Sequence, residues 1–185
     1  MALILASGSP RRRELLQLIT QDFTVLTSEV DEGTQFADTP ARLAQTLATA
    51  KAQAVAASHP EDLVLGCDTV VDCSGVVFGK PADEADALRM LRALSGRAHK
   101  VHTGVCVCRH GRSAATVETT VVHFSPIREE DLLAYVRTPE PYDKAGAYAI
   151  QGHAALWCAG IEGCYYNIMG LPVHRTAQLL RTLAD

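Results

Sequence analysis

Three consecutive arginines, Arg11, Arg12 and Arg13, follow Ser7-Gly-Ser-Pro10 at the foot of an expected helix, with Ser9 a natural N-cap and Pro10 a natural first helical residue. Cations in a first helical turn oppose the helix dipole, at a cost of about 0.3–1 kcal/mol each on an exposed surface. Free backbone N–H groups, the hydroxyls of Ser7 and Ser9, and guanidinium groups instead meet at one spot. That is the composition of an anion site, with phosphate as its natural ligand; a solvated basic turn is the plainer alternative. Successive helical residues point about 100° apart, so three arginines cannot share one ligand, and Arg13 is assigned to solvent.

Other charges stand where composition alone would not put them. Lys51 lies among Ala48, Ala50, Ala52 and Ala54 on an expected helix, where a lysine either snorkels to solvent or meets an anion. Asp68 ends an apolar run with Thr69 beside it, and acids at strand ends in α/β sheets face the crevice where ligands and metals sit. Glu32, in a polar loop, supplies a second carboxylate. Lys80 sits between Gly79 and Pro81, and Asp143-Lys144 precedes a Gly-containing stretch to Gly152. Each has a bland loop reading. Two carboxylates together with several cations point to a metal-bound polyphosphate.

Other chemistries find little support. No G-x-x-x-x-G-K-[ST], G-x-G-x-x-G or G-x-S-x-G motif occurs. His99 and His102 fall on opposite sides of an expected strand, so they do not make a metal pair. The six cysteines, Cys67, Cys73, Cys106, Cys108, Cys158 and Cys164, contain no C-x-x-C pair; they read as small buried hydrophobes, with Cys106 and Cys108 on one strand face.

These residues need an alternating scaffold. Strands are expected at Ala2–Ala6, Phe23–Thr27 and Leu63–Cys67, and a hairpin joins Val70–Cys73 to Val76–Phe78 through Ser74-Gly75. Longer strands near 98–109 and 113–124 turn at His110-Gly111-Arg112, and another lies near Ala155–Ile161. Helices are expected from Pro10 to about Ile19, from Thr39-Pro40 to about Ser58, and from the cap Asp83 to Gly96. Two more run from Ser125-Pro126 to about Arg137 and over Leu171–Leu183. The hairpins exclude an all-parallel sheet, leaving an α/β fold with a mixed one.

A length of 185 residues fits one domain, 1–185, and a 48% hydrophobic content is too high for a disordered chain. No apolar stretch reaches the roughly 18 residues of a membrane span, and the short first strand lacks the form of a signal h-region. No membrane association and a cytoplasmic location are therefore expected. A net charge of −4 and 5% aromatics argue against a stable nucleic-acid partner.

An ordered series of pieces resembles the Maf family of nucleoside triphosphate pyrophosphatases over nearly the whole chain. They are Ala6-Ser-Gly-Ser-Pro-Arg-Arg12, Val30-Asp-Glu32, Ala50-Lys-Ala52, Asp68-Thr-Val-Val71, Gly79-Lys-Pro81, Leu94-Ser-Gly-Arg97 and Thr103-Gly-Val105, followed by Glu140–Gly152 and Asn167-Ile-Met-Gly-Leu-Pro172. The resemblance implies a long mixed sheet with flanking helices and a cleft between two lobes, similar to inosine triphosphatases, in a homodimer. It implies hydrolysis of a nucleoside triphosphate to the monophosphate and pyrophosphate with a divalent cation, Mg2+ or Mn2+. By motif, Asp68 is implied as the catalytic carboxylate that takes a proton from water, and Glu32 as its metal-binding companion. Ser7, Arg12, Lys51 and Lys80 are implied as polyphosphate contacts.

Arg11, Thr69 and Gln151 match the branch that prefers dTTP and UTP. The branch acting on 7-methyl-GTP instead carries an aromatic after Ser-Pro, Asp-Gln, and Asn-Cys-Ala-Gly-Ser-Phe, where this chain has Asp143-Lys-Ala-Gly-Ala-Tyr148. Cys67 stands where Ala is usual, and His153-Ala-Ala155 replaces a Gly-rich run. The alternatives to a pyrimidine triphosphate pyrophosphatase are a non-catalytic nucleotide- or RNA-binding regulator of cell division and a 7-methyl-GTP or purine triphosphate pyrophosphatase.

Overall fold

A computed structural model of the chain describes residues 2–183. The first apolar run forms β1 (Leu3–Leu5), and Pro10 opens α1 (Pro10–Leu16), whose cap Ser9 accepts from the Arg12 N–H. β2 (Thr24–Val25) follows, and the acidic loop makes one 3-10 turn at Glu32–Thr34. Thr39 and Pro40 start α2 (Pro40–Ala56) as their types predict. Next come β3 (Leu63–Cys73) and β4 (Val76–Phe78), joined by Ser74 and Gly75, both with positive φ, as a two-residue hairpin requires. Asp83 caps α3 (Glu84–Leu94), and β5 (Ala98–Arg109) and β6 (Arg112–Phe124) form a long hairpin. α4 (Glu129–Val136), β7 (Cys158–Glu162), α5 (Tyr165–Met169) and α6 (Val173–Arg181) complete the order.

Several boundaries differ from expectation for visible reasons. β3 does not end at Asp68: Asp68 and Thr69 pair with Gly104 and Thr103 of β5, so the strand continues unbroken to Cys73. Ser125-Pro126 does not start α4. The Ser125 N–H donates to Trp157 O at 2.9 Å and the Ile127 N–H to Ser95 Oγ at 2.8 Å, which holds the segment extended until Arg128 caps the helix. Residues expected to begin the last strand instead make a 3-10 turn, His153–Trp157, before β7. The short α5 had no counterpart in the sequence reading.

The seven strands form one sheet in the order β2-β1-β3-β5-β6-β7, with β4 pairing β3. β1 runs parallel to β2 and β3, while the other pairings are antiparallel, giving the expected mixed sheet. β1 reaches only Leu65 on β3, and β4 pairs only from Val71. Between these points, β3 has β5 as its sole strand neighbour among the described residues, and its other edge opens on a gap. Asp68 and Thr69 fall in that gap.

α2 lies flat on one sheet face because two strand residues there are glycines. A Cβ on Gly66 would sit 2.3 Å from Ala48 O, and one on Gly104 2.1 Å from Ala44 O. This face also holds Cys106 and Cys108, whose sulfurs are 3.8 Å apart against the helix. One apolar cluster gathers Leu5, Leu16, Leu65 and Leu171; a second gathers Phe78, Leu91, Phe124 and Tyr148. They build the two sides of the gap. No described helix is long and apolar enough to cross a membrane.

The two buried histidines, His99 and His102, have structural partners. His99 Nε2 lies 2.8 Å from Tyr148 Oη, its ring packed edge-on against Phe124 and Tyr148. Burial, with a smaller push from His123, lowers the His99 pKa to about 4. The unfolded histidine takes its proton first, near pH 6.5. Stability is therefore full above that pH and is lost on acidification toward pH 4, by about 3 kcal/mol at most. Burial lowers the His102 pKa as well, acting in the same direction. A fall of the urea midpoint between about pH 7 and pH 4.5 is expected, and it should shrink in His99→Gln.

Candidate active site

The gap on β3 widens into a cleft of about 710 Å³, within the range of small-molecule sites. Ser7, Ser9, Arg11 and Arg12 line one side, Gly79, Lys80 and the 143–150 segment the other, and Asp68 and Thr69 the floor. Adjacent strand residues point to opposite faces. Asp68 faces α2, and Thr69 faces α5. Both reach one cleft because β1 stops short and the cleft wraps around the bare edge.

On the α2 side, Lys51 Nζ donates to Asp68 Oδ1 and Glu32 Oε1, each at 2.6 Å. The lysine does not snorkel; it is buried on both carboxylates. Their surroundings split them. Burial pushes the Asp68 pKa up, against the pull of Lys51 and Arg12, and the net shift is upward. At Glu32, burial also acts upward but is outweighed by Lys51, with Lys80 and Arg12 adding, and the net shift is downward. The side-chain exposures, 8% for Asp68 and 59% for Glu32, account for the difference.

On the α5 side, Arg12 is held by its whole fork. Nε donates to Gly170 O at 2.9 Å, Nη1 to Ser7 Oγ at 3.1 Å and Nη2 to Thr69 Oγ1 at 3.1 Å. The next residue back points elsewhere: Arg11 pairs with Asp143 at 2.8 Å, tying α1 to the opposite wall. Burial acts upward on Asp143, but its bonds to Lys144 and Arg11 outweigh this and lower it to about 2. Arg13 is exposed, as its helical direction predicts.

Two carboxylates converging on one ammonium, with a buried lysine between them, form a hard-oxygen donor set. No third His, Cys, Asp or Glu completes a metal-ligating group among the described residues. Such a set suits Mg2+ or Mn2+, which takes one or two carboxylates together with substrate phosphates, better than a cation that needs an all-protein cage. The cysteines stay outside this chemistry: all six are free, and burial raises Cys67, beside Asp68, to about 12.

A family profile described as "Maf-like protein" matches residues 2–183. The chain belongs to the Maf family. Among its Maf relatives, a protein named dTTP/UTP pyrophosphatase from Symbiobacterium thermophilum is 53% identical over 96% of this chain and 92% of its own length. One of the same name from Koribacter versatilis is 49% identical over 98% and 94%. The HAM1 protein structure from Coxiella burnetii is similar in fold, with a TM-score of 0.54 at 14% identity, covering 97% of this chain and 98% of that one.

Nine of the ten residues singled out in this Maf chain line the cleft: Ser7, Ser9, Arg11, Arg12, Glu32, Lys51, Asp68, Thr69 and Lys80. Gln151 does not. It is exposed one residue beyond Ile150, the last of its segment on the wall. Gly170 O, Thr103 and the Asp143 anchor had no assigned role in the sequence reading. The pieces Thr103-Gly-Val105 and Asn167–Pro172 of the Maf series were the signal for the first two.

Proposed function

We propose that the chain is a metal-dependent nucleoside triphosphate pyrophosphatase acting as one domain on dTTP, UTP and related or modified pyrimidine triphosphates. The observation that carries this reading is the Lys51 bridge between Asp68 and Glu32, facing the Arg12 fork across one cleft. The names of the Maf relatives supply the substrate class.

In this reading Ser7, Ser9, Arg12 and Lys80 receive the triphosphate, and Arg12 and Lys80 offset the charge that grows on the departing pyrophosphate. Asp68 takes a proton from water at its carboxylate as that water attacks the α-phosphorus, and the α–β bridging bond breaks. Lys51 fixes the Asp68 carboxylate in place, and its charge favours the ionised form against the upward push of burial. A divalent cation held by Asp68, Glu32 and phosphate oxygens would supply further charge neutralisation. Arg11 and Thr69, with Gln151 beyond the wall, are assigned to base selection. A homodimer is part of the same reading, and a sedimenting species of twice the chain mass tests it.

A triphosphate panel tests the function. Pyrophosphate release from dTTP and UTP with Mg2+ or Mn2+, absent in EDTA and weak with GTP or 7-methyl-GTP, is expected. No release from any member would favour a binding module. Arg12→Lys keeps the charge but loses the fork. Its kcat/KM is expected to fall roughly 10- to 100-fold, the scale of charge-assisted hydrogen bonds, while the urea midpoint changes little.

A further inference from the structure

The α5 side of the cleft contains a chain of hydroxyls whose hydrogens can be placed by elimination. Thr103, fully buried on β5, has its Oγ1 2.9 Å from the Asn167 carbonyl oxygen and 2.9 Å from Thr69 Oγ1. A hydroxyl has one hydrogen. A carbonyl oxygen can only accept, so the Thr103 hydrogen goes to Asn167 O. Thr103 must then accept from Thr69. Thr69 has spent its own hydrogen and meets the Arg12 Nη2 N–H with a lone pair, at 3.1 Å.

The far end of this chain is fixed as well. The Asn167 side chain is fully buried and donates to Val101 O at 3.0 Å and Thr120 Oγ1 at 2.9 Å, so the α5 backbone cannot drift from the sheet. At the near end, Ser7 Oγ, Gly170 O and Thr69 Oγ1 take three of the five guanidinium hydrogens of Arg12. One N–H on each terminal nitrogen is left.

We propose that Thr103 is a positioning residue, which orients the Thr69 hydroxyl as an acceptor and thereby aims Arg12 at the substrate. Without the Thr103 oxygen, the Thr69 hydroxyl loses the acceptor that fixes its hydrogen, so its side chain is free to leave this rotamer and the oxygen that holds Arg12 Nη2 is no longer fixed in place. A corollary is that Thr69 does not donate to a phosphate oxygen; donation on this wall comes from Arg12. The inference rests on the proposed phosphate-binding role of Arg12.

Thr103→Val, Thr103→Ser, Thr69→Val and the Thr69→Val/Thr103→Val double variant test it, with UTP turnover and the affinity for the non-hydrolysable analogue α,β-methylene-UTP measured on each. Thr103→Val is expected to lose about 10-fold in kcat/KM, mostly through KM, and a similar factor in analogue affinity. Thr103→Ser should restore both. The double variant should be no worse than Thr69→Val, because Thr103 acts only through Thr69. Wild-type KM in Thr103→Val, failure of Ser to rescue, or additive losses in the double variant would each overturn the proposal. Should Thr103→Val not fold, Thr103→Ala removes the hydroxyl without placing a methyl against Asn167 O and takes the same measurements. A wild-type chain that releases no pyrophosphate sinks the pyrophosphatase reading; the Thr103 inference is then decided by analogue affinity alone.

Discussion

Asp68→Asn is expected to remain folded while pyrophosphate release falls by roughly 10²–10⁴-fold, the usual contribution of a general base. The substitution keeps the shape of the side chain and leaves an amide oxygen to accept from Lys51 Nζ, now at 2.6 Å. It removes the negative charge whose burial raises the Asp68 pKa, so the desolvation cost disappears with it. Lys51 keeps Glu32 as its ionic partner, also at 2.6 Å, and is not stranded. What cannot be replaced is a basic oxygen in the cleft. Urea unfolding and pyrophosphate release measured on one preparation check both halves. A near-normal rate in a folded Asp68→Asn chain would remove Asp68 from the chemistry.

Gly104→Ala is expected to damage stability and activity together, although Gly104 is not assigned to the reaction. Its new methyl would lie 2.1 Å from Ala44 O, 2.4 Å from Ala44 C and 2.6 Å from Gln45 N, all backbone atoms of α2. No side chain can swing aside, so the helix itself must lift from the sheet. Overpacking of this kind costs about 1–3 kcal/mol and occasionally more; contact with rigid backbone puts Gly104 at the upper end. Seven residues along the same helix from Ala44 stands Lys51. A displacement of about 1 Å at a catalytic group costs on the order of 10²-fold in rate, and a loss of that size is expected beside a lowered urea midpoint. Gly160→Ala is the control, since a Cβ there meets nothing within 4 Å. Equal behaviour of the two variants would contradict this view of how α2 is seated.

The residue types carried most of the fold because they act locally. Pro10 and Pro40 behind their caps, Asp83 before α3 and Ser74-Gly75 in the hairpin each specify a turn or a start within a few positions. The misplacements are tertiary. Ser125-Pro126 carries a helix-start signature, yet backbone bonds to Trp157 and Ser95 hold it extended. Asp68 looked like a strand end because its own charge ends the apolar run, whereas pairing with β5 carries the strand onward.

The site shows the same division. Charge types in unusual places identified Arg12, Lys51, Asp68 and Glu32, since a lysine among alanines or an arginine in a first turn needs an explanation of its own. Gly66 and Gly104 drew no reading of their own from the sequence, because the close approach that requires them involves α2, a helix distant in the chain. Thr103 and Asn167 bear no charge, and their part depends on hydrogen-bond direction between residues distant in sequence. No local pattern could have shown that.

Hydrolysis of UTP in heavy-oxygen water, with both products analysed by mass, tests the reaction most directly. Attack at the α-phosphorus by water that gives its proton to Asp68 puts the label in UMP and leaves pyrophosphate unlabelled, which is the expected result. Formation of UDP and inorganic phosphate, or label in pyrophosphate instead of UMP, would contradict it.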